Sequence, residues 1–123
     1  MERDLNLLRE ILLFIEKHNN GFKPVLISLD GHDNAKVQCH VNLLIDANFI
    51  EAIDASSKDR PEFHVKRITN FGHDYLDLIR DDEFWRKTTE GTKKLGGFTL
   101  ELLGDLAKGY IKTQIKKQTG YEV

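Results

Sequence analysis

The sequence predicts an α+β fold of winged-helix type, carrying one extra helix at its C-terminal end. Three observations predict it. Apolar residues recur at helical spacing in three segments of the first 80 residues. Two short alternating segments flank a polar turn between the second and third of these, which is the pattern of a β-hairpin. A last amphipathic stretch follows a glycine-containing joint.

The first helix spans residues 4–18, with Leu5, Leu8, Ile11, Leu12 and Ile15 at i, i+3, i+4 spacing and Leu7, Leu13 and Phe14 widening the face. Asp4 is placed to cap its start, and Asn19-Asn20-Gly21 stops it. After Pro24, Val25–Leu29 reads as a short strand. Asp30-Gly31-His32-Asp33 is a turn, and either aspartate can cap a second helix running to about Asn48, with Val37, Val41, Leu44 and Ile45 inward. Asn48 ends that helix in the left-handed conformation that asparagine tolerates. Phe49–Ile53 and Phe63–Ile68 are the hairpin strands, with residues 56–61 as the turn. Thr69 caps a third helix with Phe71, Tyr75, Leu76, Leu78 and Ile79 on its apolar side, and Asp81-Asp82-Glu83 marks a bend before Phe84-Trp85. The short helix that precedes the second long helix in many winged helices has no counterpart. The expected division is a winged-helix domain over residues 1–90 and, after a joint from Gly91 to Gly97, an amphipathic helix within residues 91–123.

Composition excludes several classes. A chain of 123 residues with 40% apolar and 31% charged residues is an ordinary globular one, long enough for a single core. Cys39 is the only cysteine, so there is no disulfide scaffold and no cysteine-rich zinc site, and a free thiol fits a reducing compartment. The N-terminal stretch is charged from its second residue and no segment has the length of a membrane span, so the expected location is cytoplasmic with no membrane partner. The net charge is -2, distributed unevenly. Residues 1–88 hold 12 Lys and Arg against 16 Asp and Glu, a balance of -4, and residues 89–123 hold 6 against 4, a balance of +2. A duplex-DNA binder draws much of its affinity from phosphate neutralisation, so DNA binding here requires a local basic surface.

Two segments carry a resemblance. His40-Val41-Asn42-Leu43-Leu44-Ile45-Asp46-Ala47-Asn48-Phe49-Ile50-Glu51 resembles the H-x-x-L-L-x-x-A-G-L-I-E stretch that ends the recognition helix of many winged-helix proteins, with Asn48 in place of glycine. Arg67-Ile68-Thr69-Asn70-Phe71-Gly72-His73-Asp74-Tyr75-Leu76 resembles the R-L-T-x-x-G-x-x-x-L segment after the wing, where the glycine lets helix and hairpin approach closely. With the start MERDLNLLREILLFIE, the segment Ile79-Arg80-Asp81-Asp82, Trp85 and the tail, nearly the whole chain is similar to the family called domain of unknown function 2513, small proteins of bacteria and their phages. The resemblance implies a winged-helix fold and a bacterial or prophage setting. It carries over no functional residues.

On a helical wheel the second helix turns Ala35, Gln38, Cys39, Asn42 and Asp46 away from the core. Asn and Gln can bind adenine edges bidentately, so Asn34, Gln38 and Asn42 are candidate base readers, with Lys36 as a phosphate contact. Asp46 opposes that role. The hairpin adds Lys58, Arg60 and Lys66, with Arg67 beside them, among Asp54, Asp59 and Glu62. An exposed face of mixed polarity is the competing explanation for both sets. None of the five histidines forms a metal motif; His32 and Asp33 read as turn and cap residues and His40 as a packed residue at the core boundary. No nucleophile elbow or phosphate-cradling loop is present, and no cofactor is expected.

Phe98, Leu102, Leu106 and Tyr110 recur every four residues, with Leu103 and Ile111 beside them, and this stripe must dock on its own domain, a twin subunit or a partner. The expectation is thus a non-enzymatic winged-helix protein, paired as a homodimer through this helix and acting in bacterial or phage gene regulation on double-stranded DNA. The alternative is a module that binds a host or phage protein without touching DNA, which the acidic first 88 residues favour.

Overall fold

The computed structural model describes residues 2–95, in the order α1 (Leu5–His18), β1 (Val25–Leu26), α2 (Asn34–Asp46), β2 (Ile50–Asp54), β3 (Phe63–Ile68), α3 (Asn70–Ile79) and α4 (Asp82–Leu95). Among the described residues the fold is α+β, with four helices and one small antiparallel sheet. From α1 to α3 the element order expected from the sequence is the order observed, with no helix between β1 and α2, but α4 occupies a stretch read as a bend and a joint.

Local chemistry sets the boundaries. The Asp4 carboxylate accepts the Leu7 N–H at 3.1 Å and caps α1. Asp33 occupies the cap position of α2, but its side chain makes no cap bond. α2 stops at Asp46, and Asn48 takes the left-handed conformation at φ 63°. The Thr69 hydroxyl accepts the Gly72 N–H and donates to the Asn48 carbonyl, so one side chain both starts α3 and fastens it to the end of the α2–β2 connection.

The sheet order is β1-β3-β2, with Val25 opposite Val65 and Ile50 opposite Ile68. β1 is shorter than the five-residue strand expected, because the Ile27 carbonyl turns out of the ladder to accept from the Gln38 side chain. A bulge interrupts the β2–β3 pairing: Glu51 faces Arg67 but Ala52 faces Val65, which leaves Lys66 without an opposite number. Alternation is thereby reset, so that Val65 and Ile68 both point inward and Lys66 and Arg67 both stay exposed.

The chain divides into a first unit, Met1–Leu76, and a second that begins at Asp77. In the first unit Val41, Leu44, Ile50, Val65 and Leu76 are all buried, as the hairpin-on-helix arrangement requires, together with Leu7, Leu8, Ile11, Leu12 and Ile15 of α1. Phe49 stacks on Tyr75 with ring centroids 4.5 Å apart, seating α3 against the start of β2. Gly72 packs against the Phe49 carbonyl so closely that no Cβ fits. Phe71, expected on the apolar side, is instead 60% exposed and covers the outer edge of Phe49.

In the second unit Asp81 caps α4 by accepting the Phe84 N–H at 2.7 Å, and Lys87 pairs with Glu83 one turn away. The joint expected to open at Gly91 does not begin there, because α4 continues through Leu95. The amphipathic stretch with Phe98, Leu102, Leu103, Leu106, Tyr110 and Ile111, and the homodimer and docking roles assigned to it, lie outside the described residues.

Candidate functional site

Three sets of side chains were candidates for binding: the outer side of α2, the hairpin loop, and the strand cations. The structure treats them differently. On α2, Asn34 and Asn42 are exposed, as expected. Gln38 is a correction. It is fully buried, its amide donating to the Ile27 carbonyl at 3.2 Å and accepting the Phe63 N–H at 3.0 Å. A helical wheel places it outward only if nothing covers that side, and here the main chain after β1 and the start of β3 do. Gln38 is a strand fastener, not a base reader.

Lys36 also departs from its expected role. Its ammonium lies 3.5 Å from the Asp4 carboxylate, so the one cation of α2 is drawn toward the start of α1. Burial alone would raise the Asp4 carboxyl, but the Leu7 N–H and the Lys36 charge outweigh it and hold it below its ordinary value. His40 is fully buried, with Nε2 accepting the Asp4 N–H at 2.9 Å. Its Nδ1 is therefore the protonated nitrogen and donates to the Lys36 carbonyl at 2.8 Å. What remains exposed on α2 is Asn34, Ala35, Asn42 and Asp46.

Lys58 and Arg60 stand together on the exposed loop between β2 and β3. The loop is held by main-chain bonds between Ser57 and Arg60 and by Ser56, whose hydroxyl accepts the Glu62 N–H at 3.0 Å. Neither cation is in an ion pair among the described residues, but exposed Asp59 lies between them and Asp54 and Glu62 flank them. The Asp54 carboxyl is lowered by its bonds to Ser56, so it stays ionised. The α2 and loop surface therefore has no excess of positive charge.

Lys66 is not part of that cluster. It projects from the bulge toward the other end of β3, six residues beyond Arg60. A different group assembles there, which the sequence reading passed over. The outward side of the sheet carries the row Leu26–His64–Ile53, because Leu26 and Ile53 pair with His64 from either side. Leu26 is 46% exposed and Ile53 44%. Phe22, on the loop leading into β1, is 90% exposed. The carboxylates of this face are already engaged: Arg67 holds Glu51 with two bonds, of 2.9 and 3.2 Å, and His64 lies 3.0 Å from Glu62. The signal in the sequence was the pairing of Ile53 with His64 inside an otherwise polar half-strand; Phe22 gave none, since a loop phenylalanine is unremarkable until its exposure is known.

Among the described residues no group of three or more His, Cys, Asp and Glu side chains is placed to hold a metal ion. Among them, too, no helix is long and apolar enough to cross a membrane. His32 is tied to Glu10 of α1 at 3.1 Å.

A family model described as "Hypothetical protein (DUF2513)" matches residues 2–99. An uncharacterised protein of Haemophilus influenzae is 34% identical over 118 residues, which span 94% of this chain and 99% of that one. No solved structure matches.

Proposed function

We propose that this chain, which belongs to the DUF2513 family, is a non-enzymatic winged-helix module that binds another protein through the outer side of its sheet. The observation that carries the reading is the exposure of Phe22, Leu26 and Ile53 on and beside one sheet face. Apolar side chains scattered singly on a surface mean little, but Leu26 and Ile53 flank His64 in one row set by strand register, and exposed apolar groups brought onto one face mark interaction sites. The winged-helix assignment rests on the element order, the hairpin between α2 and α3, and the close Gly72 contact.

Duplex DNA is the second reading, favoured by Lys58 and Arg60 on the loop and by Asn34 and Asn42 on α2. Electrostatics weigh against it. Two unpaired cations among Asp46, Asp54, Asp59 and Glu62 neutralise few phosphates, and Lys36 is occupied by Asp4.

A photo-crosslinking side chain at Ile53, compared with one at Asn42, separates the readings in native host cells. The protein-binding reading expects a discrete crosslinked heteromer from position 53 that Leu26→Ala suppresses, and none from position 42. A crosslink confined to position 42, with a low-salt gel shift on duplex DNA that Lys58→Ala and Arg60→Ala abolish, overturns it.

A further inference from the structure

The first 88 residues carry a balance of -4, yet the loop before β1 carries Lys23 and the bulge of β3 carries Lys66 and Arg67, with Glu51 the carboxylate opposite. Asn20 accepts the Phe22 and Lys23 N–H groups at 2.9 and 3.2 Å. Asn19 accepts the Gly21 N–H at 2.7 Å and donates to the Lys66 carbonyl at 2.9 Å. The main chain of residues 21–23 is thus held to β3 at its bulge, where Lys66 projects. Lys23 and Lys66 are exposed and in no ion pair among the described residues, while Glu51 and Glu62 are engaged by Arg67 and His64. An exposed phenyl ring on a loop with three local side-chain bonds adds little to the core, and the held main chain keeps the entropy lost on binding small.

We infer that this face takes an acidic, extended segment of a partner protein, with one or more apolar side chains seated on the Leu26–His64–Ile53 row and its carboxylates meeting Lys23 and Lys66. The inference rests on the protein-binding reading above and adds the chemistry of the partner. Charge complementarity selects this occupant. Duplex DNA would gain two cations but would have to desolvate the aliphatic row without a ring to stack on at Leu26 or Ile53. An acidic amphipathic segment satisfies both features, and Phe22 beside Lys23 gives it an aromatic anchor with a charged rim.

The test uses the full-length chain, isotopically labelled, and three synthetic peptides of about eight residues, long enough at roughly 3.3 Å per residue to cross the sheet. One alternates glutamate with leucine and phenylalanine, one has lysine for each glutamate, and one has glutamine. The expected result is that the glutamate peptide shifts the amide signals of Phe22, Leu26, Ile53 and Lys66, and that Phe22→Ala and Lys66→Glu each weaken it about tenfold, as the loss of one anchor or a reversed charge should. Both substitutions are at exposed positions, so the fold is retained and the amide spectrum verifies it. If the glutamine or lysine peptide shifts the same signals with equal affinity, the acidic partner is overturned and the protein-binding surface stands. If no peptide shifts this face, or mixed-sequence duplex DNA alone shifts the α2 and loop signals, both fall.

Discussion

The main-chain N–H of Asp4 donates to Nε2 of His40 at 2.9 Å, across 36 residues of sequence. His40 Nδ1–H continues to the Lys36 carbonyl, and the Lys36 ammonium returns to the Asp4 carboxylate. The start of α1 is thereby closed onto α2 by a ring of three residues. The ring draws Lys36 toward Asp4.

Asp4 gives this ring a pH dependence. Its carboxyl is held below its ordinary value of 3.8, so it contributes stability that is present above that value and lost as pH falls through the lower, folded one. Asp4→Asn keeps a capping oxygen and removes the charge. Its urea midpoint should fall less steeply than that of the wild type below pH of about 4. At neutral pH the loss should be only about 0.2–1 kcal/mol, the range of a partly exposed pair. Equal acid slopes in the two proteins would show that neither the Leu7 N–H nor the Lys36 ammonium lowers the Asp4 carboxyl.

Gln38→Leu tests the fastener. Leucine fills the volume but leaves the Ile27 carbonyl and the Phe63 N–H without their partner, each at a cost of about 1–3 kcal/mol. Chemical denaturation should show a loss of at least about 2 kcal/mol, and hydrogen exchange at Phe63 should accelerate. A change below about 0.5 kcal/mol, ordinary for an exposed site, would return Gln38 to the surface.

Gly72→Ala sets two effects against each other. Alanine improves helix propensity by about 1 kcal/mol. The new methyl, however, would overlap the Phe49 carbonyl and stand 2.8 Å from Ile68 Cγ2, and a backbone carbonyl cannot rotate away as a side chain can. The clash should win, giving a net loss of about 1–3 kcal/mol and a melting temperature lower by several degrees. A variant as stable as the wild type would mean that α3 sits farther from β2.

Tyr75→Phe should be neutral or stabilising by up to about 1 kcal/mol. The Tyr75 hydroxyl is buried with no hydrogen-bond partner among the described residues, and burial pushes its pKa up. Removing it relieves that desolvation while the ring keeps its stack on Phe49. A loss above about 1 kcal/mol in thermal denaturation would reveal a partner for the hydroxyl.

Much of the architecture was legible in the residues. The apolar spacing of α1 and α2, the asparagine stop at Asn48 and the Thr69 cap are all local signals, and each is found where the sequence puts it. Such features depend on contacts within a few residues, or on a backbone conformation only certain side chains adopt. Asn34, Asn42, Lys58 and Arg60 were also found exposed, because polar residues on a helix face or in a turn rarely have anything to bury against.

The tertiary structure decided the rest. A helical wheel knows the angle of Gln38 but not that β1 and β3 meet over it, and it cannot tell that Lys36 will find Asp4. Nor does alternation along β3 foretell the bulge that exposes Lys66 and Arg67 in succession. The row Leu26–His64–Ile53 comes from three strands separated by up to 38 positions, so it exists only once register is fixed. Sequence by itself determined the order of elements from α1 to α3, since that depends on near neighbours, but not the length of β1 or the helix over residues 82–95. Which polar groups were consumed inside the fold, and which apolar ones were left at its surface, depended on pairings between distant segments.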